Sequence, residues 1–371
     1  MNARKKLQIA LIFGGRSGEH EVSLMSARSV LSVLDPAKYA VIQIGITPAG
    51  QWLTGEDVIG KFESGKPAGL EPAVVLPDPT AGGIHVLRGR QLERLAEVDA
   101  FFPLVHGTFG EDGTMQGLFE MANAAYVGAG VLGSSVGMDK GLFKDVMRMN
   151  GIPSVESMLA LRSTIEKDMD GVIRQAEAMS PYPLFTKPAN LGSSVGVTKC
   201  RSRSDLQEGL MEAARFDRRV LIERGVANVR EIEVSVLGND DPRASLPGEI
   251  LPSREFYSYE SKYIDGTSGL LIPAPISRDL THKIQALAVQ AFRAIDASGM
   301  ARVDFFLDKD TDELFLNELN TIPGFTKISM YPKLWEASGI PYATLIDRLI
   351  ELALQRKADR DRTSHTHRSA R

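Results

Sequence analysis

A single cysteine, Cys200, is present among the 371 residues of the sequence. One thiol cannot form an internal disulfide, so the sequence falls outside the class of small secreted domains that disulfides hold together. The scarcity of cysteine favours a reducing compartment, and we expect a cytoplasmic protein. Cys200 stands near the end of a predicted strand, and we interpret it as a structural thiol.

Long apolar runs are also lacking, since none approaches the roughly 18 residues that a membrane-spanning helix needs. The formal net charge of −4 gives no basic excess of the kind that nucleic-acid or membrane binding requires. The N-terminal segment MNARKKLQIALIFGG begins like a weak signal peptide, but no small-residue cleavage site follows its apolar stretch. We therefore expect residues 7–13 to form a buried first strand.

Apolar residues make up 43% of the sequence and charged residues 24%, as in soluble globular proteins, and the length predicts two or three domains. After the first strand, apolar residues recur at helical spacing over residues 21–34, and residues 39–46 form a second apolar run. This β-α-β order predicts an α/β fold, α+β in parts, that opens with a doubly wound parallel sheet.

The remaining segments are assigned from their composition and periodicity. Residues 55–83 are rich in glycine and proline and predict a variable loop region, and residues 99–105 predict a strand. Domains are expected at residues 1–129, 130–222 and 223–356, followed by a disordered tail at 357–371. Helices are expected near residues 134–150, 163–179, 204–216, 279–298 and 342–356. Strands are expected near residues 183–188, 195–199, 219–224, 231–238, 246–251, 301–307 and 314–320.

Two acidic residues, Asp304 and Glu318, carry the strongest chemical signal. They lie in predicted strands joined by a short DKDTDE turn, so they face each other if the turn centres near residues 310–311. Because side chains alternate along a strand, Arg302 shares the face of Asp304, and Asn320 shares that of Glu318. Opposed carboxylates repel unless a cation lies between them, and two carboxylates with an amide oxygen suit Mg²⁺ or Mn²⁺. A solvent-facing polar stripe is the alternative.

The segment KPANLGSSVG, which begins at Lys187, is a second signal. Small residues such as Ser193 and Ser194 leave backbone N–H groups open to phosphate oxygens. The segment has neither the GxxxxGK[ST] spacing of a P-loop nor the GxGxxG spacing of a dinucleotide site. An ordinary hairpin turn would explain the same residues.

Other polar residues follow predicted strands or lie in helical patterns. After the first strand, Glu19 or Glu21 could bind a ligand at the sheet edge or act as a first-turn helix acid. His106 could bind a ligand or be a simple turn histidine, and Lys140 could be a solvated lysine on a helix. Residues 254–263 are aromatic and charged and precede a glycine-rich stretch, which predicts a mobile lid.

Taken together, these segments resemble the ATP-grasp superfamily, and within it the D-alanine–D-alanine ligases, over about residues 7–355. The resemblance is carried by GGRSGEHEVS, HGTFGEDGTMQG, MDK, KPANLGSSVG, REIEVSVLG, FYSYESKY, ARVDFF and NELNTIPGFTKISMYP, in that order. It implies a three-domain ATP-grasp fold and the ligation of two D-alanines for peptidoglycan precursors, with ATP and two Mg²⁺ or Mn²⁺ ions. It also implies a homodimer.

The resemblance implies roles in phosphate and metal binding. Lys140 and Lys187 match lysines that contact the α- and β-phosphates of ATP, and Lys262 matches a lysine that contacts the γ-phosphate. The loop at residues 192–196, which contains the expected ATP contacts Ser193 and Ser194, matches the flap over the phosphates. The matched metal ligands are Asp304, Glu318 and Asn320.

The nucleoside contacts follow from the same resemblance. Glu223, Arg224 and Val226 match the adenine site, and Glu231 matches the acid that binds the ribose hydroxyls. The loop GVANVR before Glu231 is slightly longer than the family pattern. The adenine contacts therefore follow less directly from the resemblance than the ribose contact.

The site of the first D-alanine is implied around Glu19, which matches the residue that holds its ammonium group. His106 matches a residue near the same substrate. Ser193 and Tyr263 match partners of Glu19 in a hydrogen-bonded network that closes the lid.

The remaining implied roles concern the second step of the reaction. Arg302 and the backbone N–H of Gly324 match the oxyanion hole. Ser329 and Met330 match the site for the carboxylate of the second D-alanine. Lys327 stands where the family also has small residues, and it receives no role.

Other functions remain as alternatives. A D-alanine–D-lactate or D-alanine–D-serine ligase is the runner-up, although Tyr263 argues against the lactate enzymes, which tend to lack a tyrosine in the lid. A catalytically inactive nucleotide-binding module has little support, because Arg302 and the three candidate metal ligands are all present. A nicotinamide dehydrogenase is excluded by the missing glycine fingerprint.

Overall fold

The structure is a computed structural model that describes residues 5–192, 194–251, 269–326 and 328–364. Within these ranges the strands form three sheets of seven, four and six strands, which confirms the α/β fold class. No helix of the described ranges is long and apolar enough to cross a membrane.

The first sheet has the strand order β6-β5-β4-β3-β2-β1-β7. Its strands are β1 (Leu7–Gly14), β2 (Tyr39–Ile46), β3 (Trp52–Thr54), β4 (Glu71–Val74), β5 (Ile84–Arg88), β6 (Gln91–Ala96) and β7 (Ala100–Pro103). Strand β1 pairs in parallel with β2 and β7, and β3 to β6 extend the sheet in antiparallel fashion. The parallel part is therefore confined to three strands. Three helices belong to this unit, α1 (His20–Leu31), α2 (Val58–Glu63) and α3 (Thr114–Met121).

The expectation of a loop over residues 55–83 is wrong in part, because α2 and β4 lie inside this range. The side chain of Asp57 accepts a hydrogen bond from the Gly60 N–H and caps the start of α2. Val58 and Phe62 of this short helix are buried. The glycines and prolines in this range therefore bound short elements instead of excluding them.

The second sheet is antiparallel, with the order β10-β9-β11-β8. Its strands are β8 (Ser157–Leu161), β9 (Leu184–Pro188), β10 (Thr198–Cys200) and β11 (Arg219–Arg224). The helices before and around it are α4 (Val131–Met138), α5 (Lys140–Met149), α6 (Arg162–Lys167), α7 (Met169–Met179) and α8 (Arg203–Phe216). Cys200 is buried in the apolar cluster of this unit, and burial raises the pKa of its thiol to about 11.

Two predicted helices, at residues 134–150 and 163–179, are each divided in two. Asp139 separates α4 from α5 and accepts a hydrogen bond from the Leu142 N–H. Asp168 separates α6 from α7 in the same way, through the Gly171 N–H. In each case an aspartate side chain starts a new helix inside a continuous periodic pattern.

The third sheet has the order β15-β14-β12-β16-β17, with β13 paired to β12. Its strands are β12 (Val229–Gly238), β13 (Arg243–Ala244), β14 (Gly248–Leu251), β15 (Gly269–Leu271), β16 (Gly299–Asp308) and β17 (Leu314–Asn320). The last helices are α9 (Arg278–Ala294), α10 (Met330–Ala337) and α11 (Tyr342–Arg360).

Helix α11 extends beyond residue 356, so the expected tail does not begin at residue 357. Arg360 donates a hydrogen bond to the Ala124 carbonyl at 2.8 Å and forms an ion pair with Glu120 at 2.6 Å. The polar residues that suggested a solvated tail thus bind the first unit. Residues 365–371 lie outside the described residues.

The largest apolar cluster joins the first and third units. Ile9 and Phe13 of β1 belong to it together with Trp335 of α10 and Leu349 of α11. The opposite face of β1 enters a second cluster with Phe119 of α3. Burial on both faces explains the continuous apolar sequence of β1.

Candidate active site

One cavity of about 540 Å³ is lined by residues from all three units. Most of the residues expected to bind ATP or D-alanine line it. These are Glu19, His106, Lys140, Lys187, Ser194, Glu223, Arg224, Val226, Glu231, Arg302, Glu318, Asn320 and Gly324.

The two acids of the predicted hairpin face each other as expected. Asp304 of β16 pairs with Glu318 of β17, and Arg302 pairs with Asn320. A register shift follows Asp304, where Phe305 pairs with Leu316. On the other side of β16, Glu233 of β12 lies opposite Asp304. The sheet therefore presents three carboxylates in a row.

Arg302 supplies positive charge to this row. Its Nε and Nη2 atoms donate to the two oxygens of Asp304 at 2.8 and 2.6 Å. The same Nε lies 3.0 Å from a carboxylate oxygen of Glu233. The amide nitrogen of Asn320 also donates to Asp304, at 3.1 Å. Arg302 is thus held in a fixed position by two acids on neighbouring strands.

The donor set fits a hard divalent cation. The described residues contain no group of three or more His, Cys, Asp or Glu side chains that could hold a metal. The expected set instead combines two carboxylates, those of Asp304 and Glu318, with the amide oxygen of Asn320. Glu318 and Asn320 line the cavity. A carboxylate oxygen has more than one lone pair, so Asp304 can accept from Arg302 and still coordinate a metal.

A buried charge cluster forms the opposite wall. Glu223 of β11 makes ion pairs with Lys187 of β9 and Lys144 of α5. Both Glu223 and Lys144 are only 2% exposed. Burial opposes the charge on Glu223, but the two ammonium groups outweigh it and lower the pKa of the carboxyl to about 2. Glu223 is therefore a fixed anion beside Lys187. Lys144, which does not line the cavity but pairs with Glu223, was missed by sequence reasoning.

Lys140, the first residue of α5, contacts the KPANLGSSVG segment. Its ammonium group donates to the Leu191 carbonyl at 2.6 Å. Burial lowers the pKa of this lysine, and the neighbouring Lys187 acts in the same direction. Lys140 is partly buried, lines the cavity and bonds to the backbone of this segment. Ser194 lies in the same segment, with a left-handed φ of 59°.

Glu19 and Glu21, the two candidate acids after β1, lie in different surroundings. Glu21 is exposed in the first turn of α1, as a helix-start acid would be. The Glu19 carboxylate instead faces the cavity, close to Gly107 and Gly192. A Cβ atom at Gly107 would lie 2.5 Å from the Glu19 oxygen, and one at Gly192 would lie 2.8 Å from it. Both segments therefore approach this acid closely, and a side chain at either glycine would displace the Glu19 carboxylate.

His106 is 3% exposed, and both of its ring nitrogens contact protein groups. Nδ1 lies 3.0 Å from the Ile322 carbonyl oxygen, and Nε2 lies 3.0 Å from the Ser26 hydroxyl. Burial lowers the pKa of His106, which favours the neutral ring. Glu111, five residues further on, also lines the cavity. No role was predicted for Glu111 from the sequence, although it lies in the HGTFGEDGTMQG segment that contributes to the family resemblance.

The remaining expected residues lie outside the cavity or outside the described residues. Asp304, Ser329 and Met330 are not among the residues that line the cavity. The Ser329 hydroxyl accepts a hydrogen bond from the Thr326 N–H at 3.0 Å, and Met330, the first residue of α10, is buried. Ser193, Lys262 and Tyr263 lie outside the described residues, as does the lid segment at 254–263.

Two family models match the chain. "D-ala D-ala ligase N-terminus" matches residues 8–129, and "D-ala D-ala ligase C-terminus" matches residues 146–351. The chain belongs to the D-alanine–D-alanine ligase family. The resemblance inferred from the sequence segments is thereby confirmed, and the chain is a ligase of this family.

Named relatives agree with this family assignment. D-alanine–D-alanine ligases of Heliobacterium modesticaldum and Natranaerobius thermophilus are 49% and 47% identical, each covering 97% of this chain and 98% of the relative. The solved D-alanine–D-alanine ligase of Coxiella burnetii is 36% identical, with a TM-score of 0.82 and 97% of both chains covered. The VanG D-Ala:D-Ser ligase of Enterococcus faecalis is 35% identical, with a TM-score of 0.84, and covers 94% of this ligase and all of the VanG chain. The ATP-grasp fold expected for this ligase is confirmed.

Proposed function

We propose that this ligase joins two D-alanine molecules at the expense of ATP, releasing ADP and phosphate, to supply peptidoglycan precursors. The observation that carries the proposal is the cavity lined by Lys140 and Lys187 of the second unit and by Glu318 and Asn320 of β17. Lys140 and Lys187 would bind the α- and β-phosphates of ATP there. Glu231 would bind the ribose hydroxyls, and Glu223 would lie at the adenine with its neighbours Arg224 and Val226.

In the first step a carboxylate oxygen of the first D-alanine attacks the γ-phosphorus, and ADP leaves. Phosphoryl transfer depends on position and charge neutralisation more than on a protein nucleophile. Asp304, Glu318 and Asn320 would hold Mg²⁺ or Mn²⁺ ions, which supply part of this neutralisation. Glu19 would hold the ammonium group of the substrate and so aim its carboxylate, with His106 behind it.

In the second step the amine of the other D-alanine attacks the acyl phosphate carbon, and the C–O bond to phosphate breaks with loss of an amine proton. The oxyanion that forms would be stabilised by Arg302 and the Gly324 N–H. The Ser329 and Met330 region would bind the carboxylate of the second D-alanine. Lys262 keeps its expected contact with the γ-phosphate, and Ser193 and Tyr263 keep their expected roles in closing the site.

Substrate competition tests this proposal. Phosphate release from ATP is measured with D-alanine alone and with added D-serine, D-lactate or L-alanine, and the products are identified by mass spectrometry. We expect D-alanyl-D-alanine as the main product and no turnover with L-alanine alone. A main product containing D-serine or D-lactate would instead support the runner-up ligases, and ATP binding without phosphate release would support an inactive module.

We also propose the arrangement in which this activity operates. Residues 1–129 would carry the first D-alanine site, and residues 130–222 and 223–356 would enclose ATP between their sheets. The use of ATP and of a cell-wall precursor favours the cytoplasm. A homodimer is expected from the family, and sedimentation would test it.

A further inference from the structure

The turn formed by residues 321–325, directly after β17, is bound by side chains of the first unit. Glu111 accepts a hydrogen bond from the Ile322 N–H at 3.0 Å, and the His106 ring contacts the Ile322 carbonyl at 3.0 Å. Ser26 of α1 accepts a hydrogen bond from the Phe325 N–H at 3.2 Å. The backbone on both sides of Gly324 is therefore held by residues roughly 200 to 300 positions earlier in the chain.

When the His106 ring is neutral, one placement of its proton satisfies the contacts with Ile322 and Ser26. The Ile322 carbonyl can only accept, so the proton of a neutral His106 must lie on Nδ1. Nε2 is then an acceptor and takes the hydroxyl proton of Ser26. The same Ser26 oxygen accepts the Phe325 N–H. Each side chain thus has a defined direction, and Ser26 cannot be replaced by an apolar residue without leaving two buried groups unpaired.

Glu111 connects the turn to the first D-alanine site. One of its oxygens accepts from the Ile322 N–H, and the other accepts from the Gly107 N–H at 2.7 Å. Gly107 is the residue against which the Glu19 carboxylate lies. A single buried side chain therefore spans the segment beneath Glu19 and the turn that carries Gly324.

We propose that Glu111 and Ser26, with His106 between Ser26 and the turn, are positioning residues that align the Gly324 N–H with the substrate held at Glu19. The inference rests on the proposed function, because Gly324 matters here only as the oxyanion donor. A donor contributes to catalysis only if it points to the place where the oxyanion forms, so small displacements of the turn reduce the rate. The proposed phosphate contacts belong to Lys140 and Lys187 of the second unit, so ATP binding should be little affected.

Two variants test the alignment. Glu111→Gln keeps the size of the side chain, but its amide nitrogen cannot accept from either backbone N–H. Ser26→Ala removes the hydroxyl that joins His106 to the Phe325 N–H. We expect each variant to lower kcat for dipeptide formation by roughly 10- to 100-fold, with KM for ATP within about twofold of wild type. Ser134→Ala is the matched control, because Ser134 is as buried as Ser26 and its hydroxyl donates locally, to the Ala129 carbonyl five residues earlier.

Rapid-quench measurement separates alignment from a general structural effect. The first step is followed as ADP formed in the first turnover, and the second as dipeptide formed. Alignment of the oxyanion donor predicts a slow second step with a nearly unchanged first step. Equal slowing of both steps, an unchanged kcat, or the same loss in Ser134→Ala would overturn the inference. If Ser26→Ala does not fold, as judged by circular dichroism, Glu111→Gln decides the result.

Failure of the proposed function gives a different outcome. If the wild-type chain forms no ADP with D-alanine, the assigned reaction is wrong, whatever the variants do. If the wild type forms dipeptide and the variants behave as wild type, the reaction stands and the positioning role is wrong.

Discussion

Asp304 lies directly opposite Glu318 across β16 and β17, and the strand register shifts immediately after this pair. At the shift, Asn317 is the extra residue of β17, without a register partner on β16. Two carboxylates in this position repel each other. Arg302 relieves the repulsion on the Asp304 side, where it donates to both carboxylate oxygens.

Glu318→Gln should therefore abolish most ATP turnover while the fold survives. The substitution removes one anionic ligand from the proposed metal set, and loss of several kcal/mol of charge stabilisation corresponds to a rate roughly 10²-fold or more below wild type. Phosphate release at increasing Mg²⁺ concentration measures the effect, and circular dichroism checks the fold. Complexes with a nucleotide and Mg²⁺ in which neither acid contacts a metal would show that this assignment is wrong.

Lys144→Met should weaken both stability and ATP binding. It leaves Glu223 buried with Lys187 as its remaining ion-pair partner among the described residues. Removal of one partner from a buried ion pair costs roughly 3–5 kcal/mol. Without Lys144, Lys187 should pair more tightly with Glu223. Because Lys187 is also the lysine assigned to the ATP phosphates, we expect a higher KM for ATP. Urea unfolding and nucleotide titration measure the two effects.

Lys167→Met is the control for this substitution, because Lys167 is exposed at the end of α6. It should change the free energy of unfolding by less than about 0.5 kcal/mol. Unchanged nucleotide affinity in Lys144→Met would indicate that the Lys144–Glu223 pair only supports the fold.

A contact could be predicted from the sequence only where the two contacting residues lie close together along the chain. The Asp304–Glu318 pairing could be predicted because one short turn joins the two strands. The Glu111–Ile322 contact joins residues 211 positions apart, and local periodicity holds no information about such a contact. Lys144 was missed for the same reason, since a lysine inside a helical pattern gives no sign of its distant partner Glu223.

The helix boundaries were missed for a different reason. Apolar periodicity continues through Asp139 and Asp168, and each of these residues starts a new helix. An aspartate three residues before a free backbone N–H is a local capping signal that the sequence does contain. An N-cap at each aspartate predicts the observed division into two helices.

Stability should depend on pH through Glu111. Burial, followed by the charge of Glu19, raises the pKa of the Glu111 carboxyl to about 8, whereas Arg302 and the two backbone N–H groups act in the opposite direction. A carboxyl whose folded-state pKa is raised stabilises the fold fully below its unfolded pKa of about 4.5, and this contribution is lost as the pH rises toward 8. Wild type should therefore lose stability over this range relative to Glu111→Gln. Urea unfolding of both proteins at pH 5.5, 7 and 8.5 measures the difference, and parallel curves would contradict it.

Arg302 and Glu19 should produce different kinetic defects. Arg302 is proposed to act on charge that develops in the transition state, so Arg302→Ala should lower kcat by roughly 10²–10³-fold or more, as the loss of an oxyanion-hole donor does. Arg302→Lys should rescue poorly, because a single ammonium group cannot bond both oxygens of Asp304 and also reach Glu233. Arg230→Ala is a matched control, since Arg230 makes a comparable two-pronged contact with Glu249 on the neighbouring strand.

Glu19→Ala should instead raise KM for the first D-alanine, with a smaller loss of kcat from misorientation of the substrate. ATP binding should be nearly unchanged in the Arg302 and Glu19 variants, because neither residue is assigned to the nucleotide. Steady-state kinetics at varied D-alanine and a nucleotide titration measure both effects. If Glu19→Ala keeps the wild-type KM while Arg302→Ala keeps the wild-type kcat, both assignments are wrong. Glu19 would then be an acid at the start of α1, and Arg302 would serve only to neutralise Asp304 and Glu233.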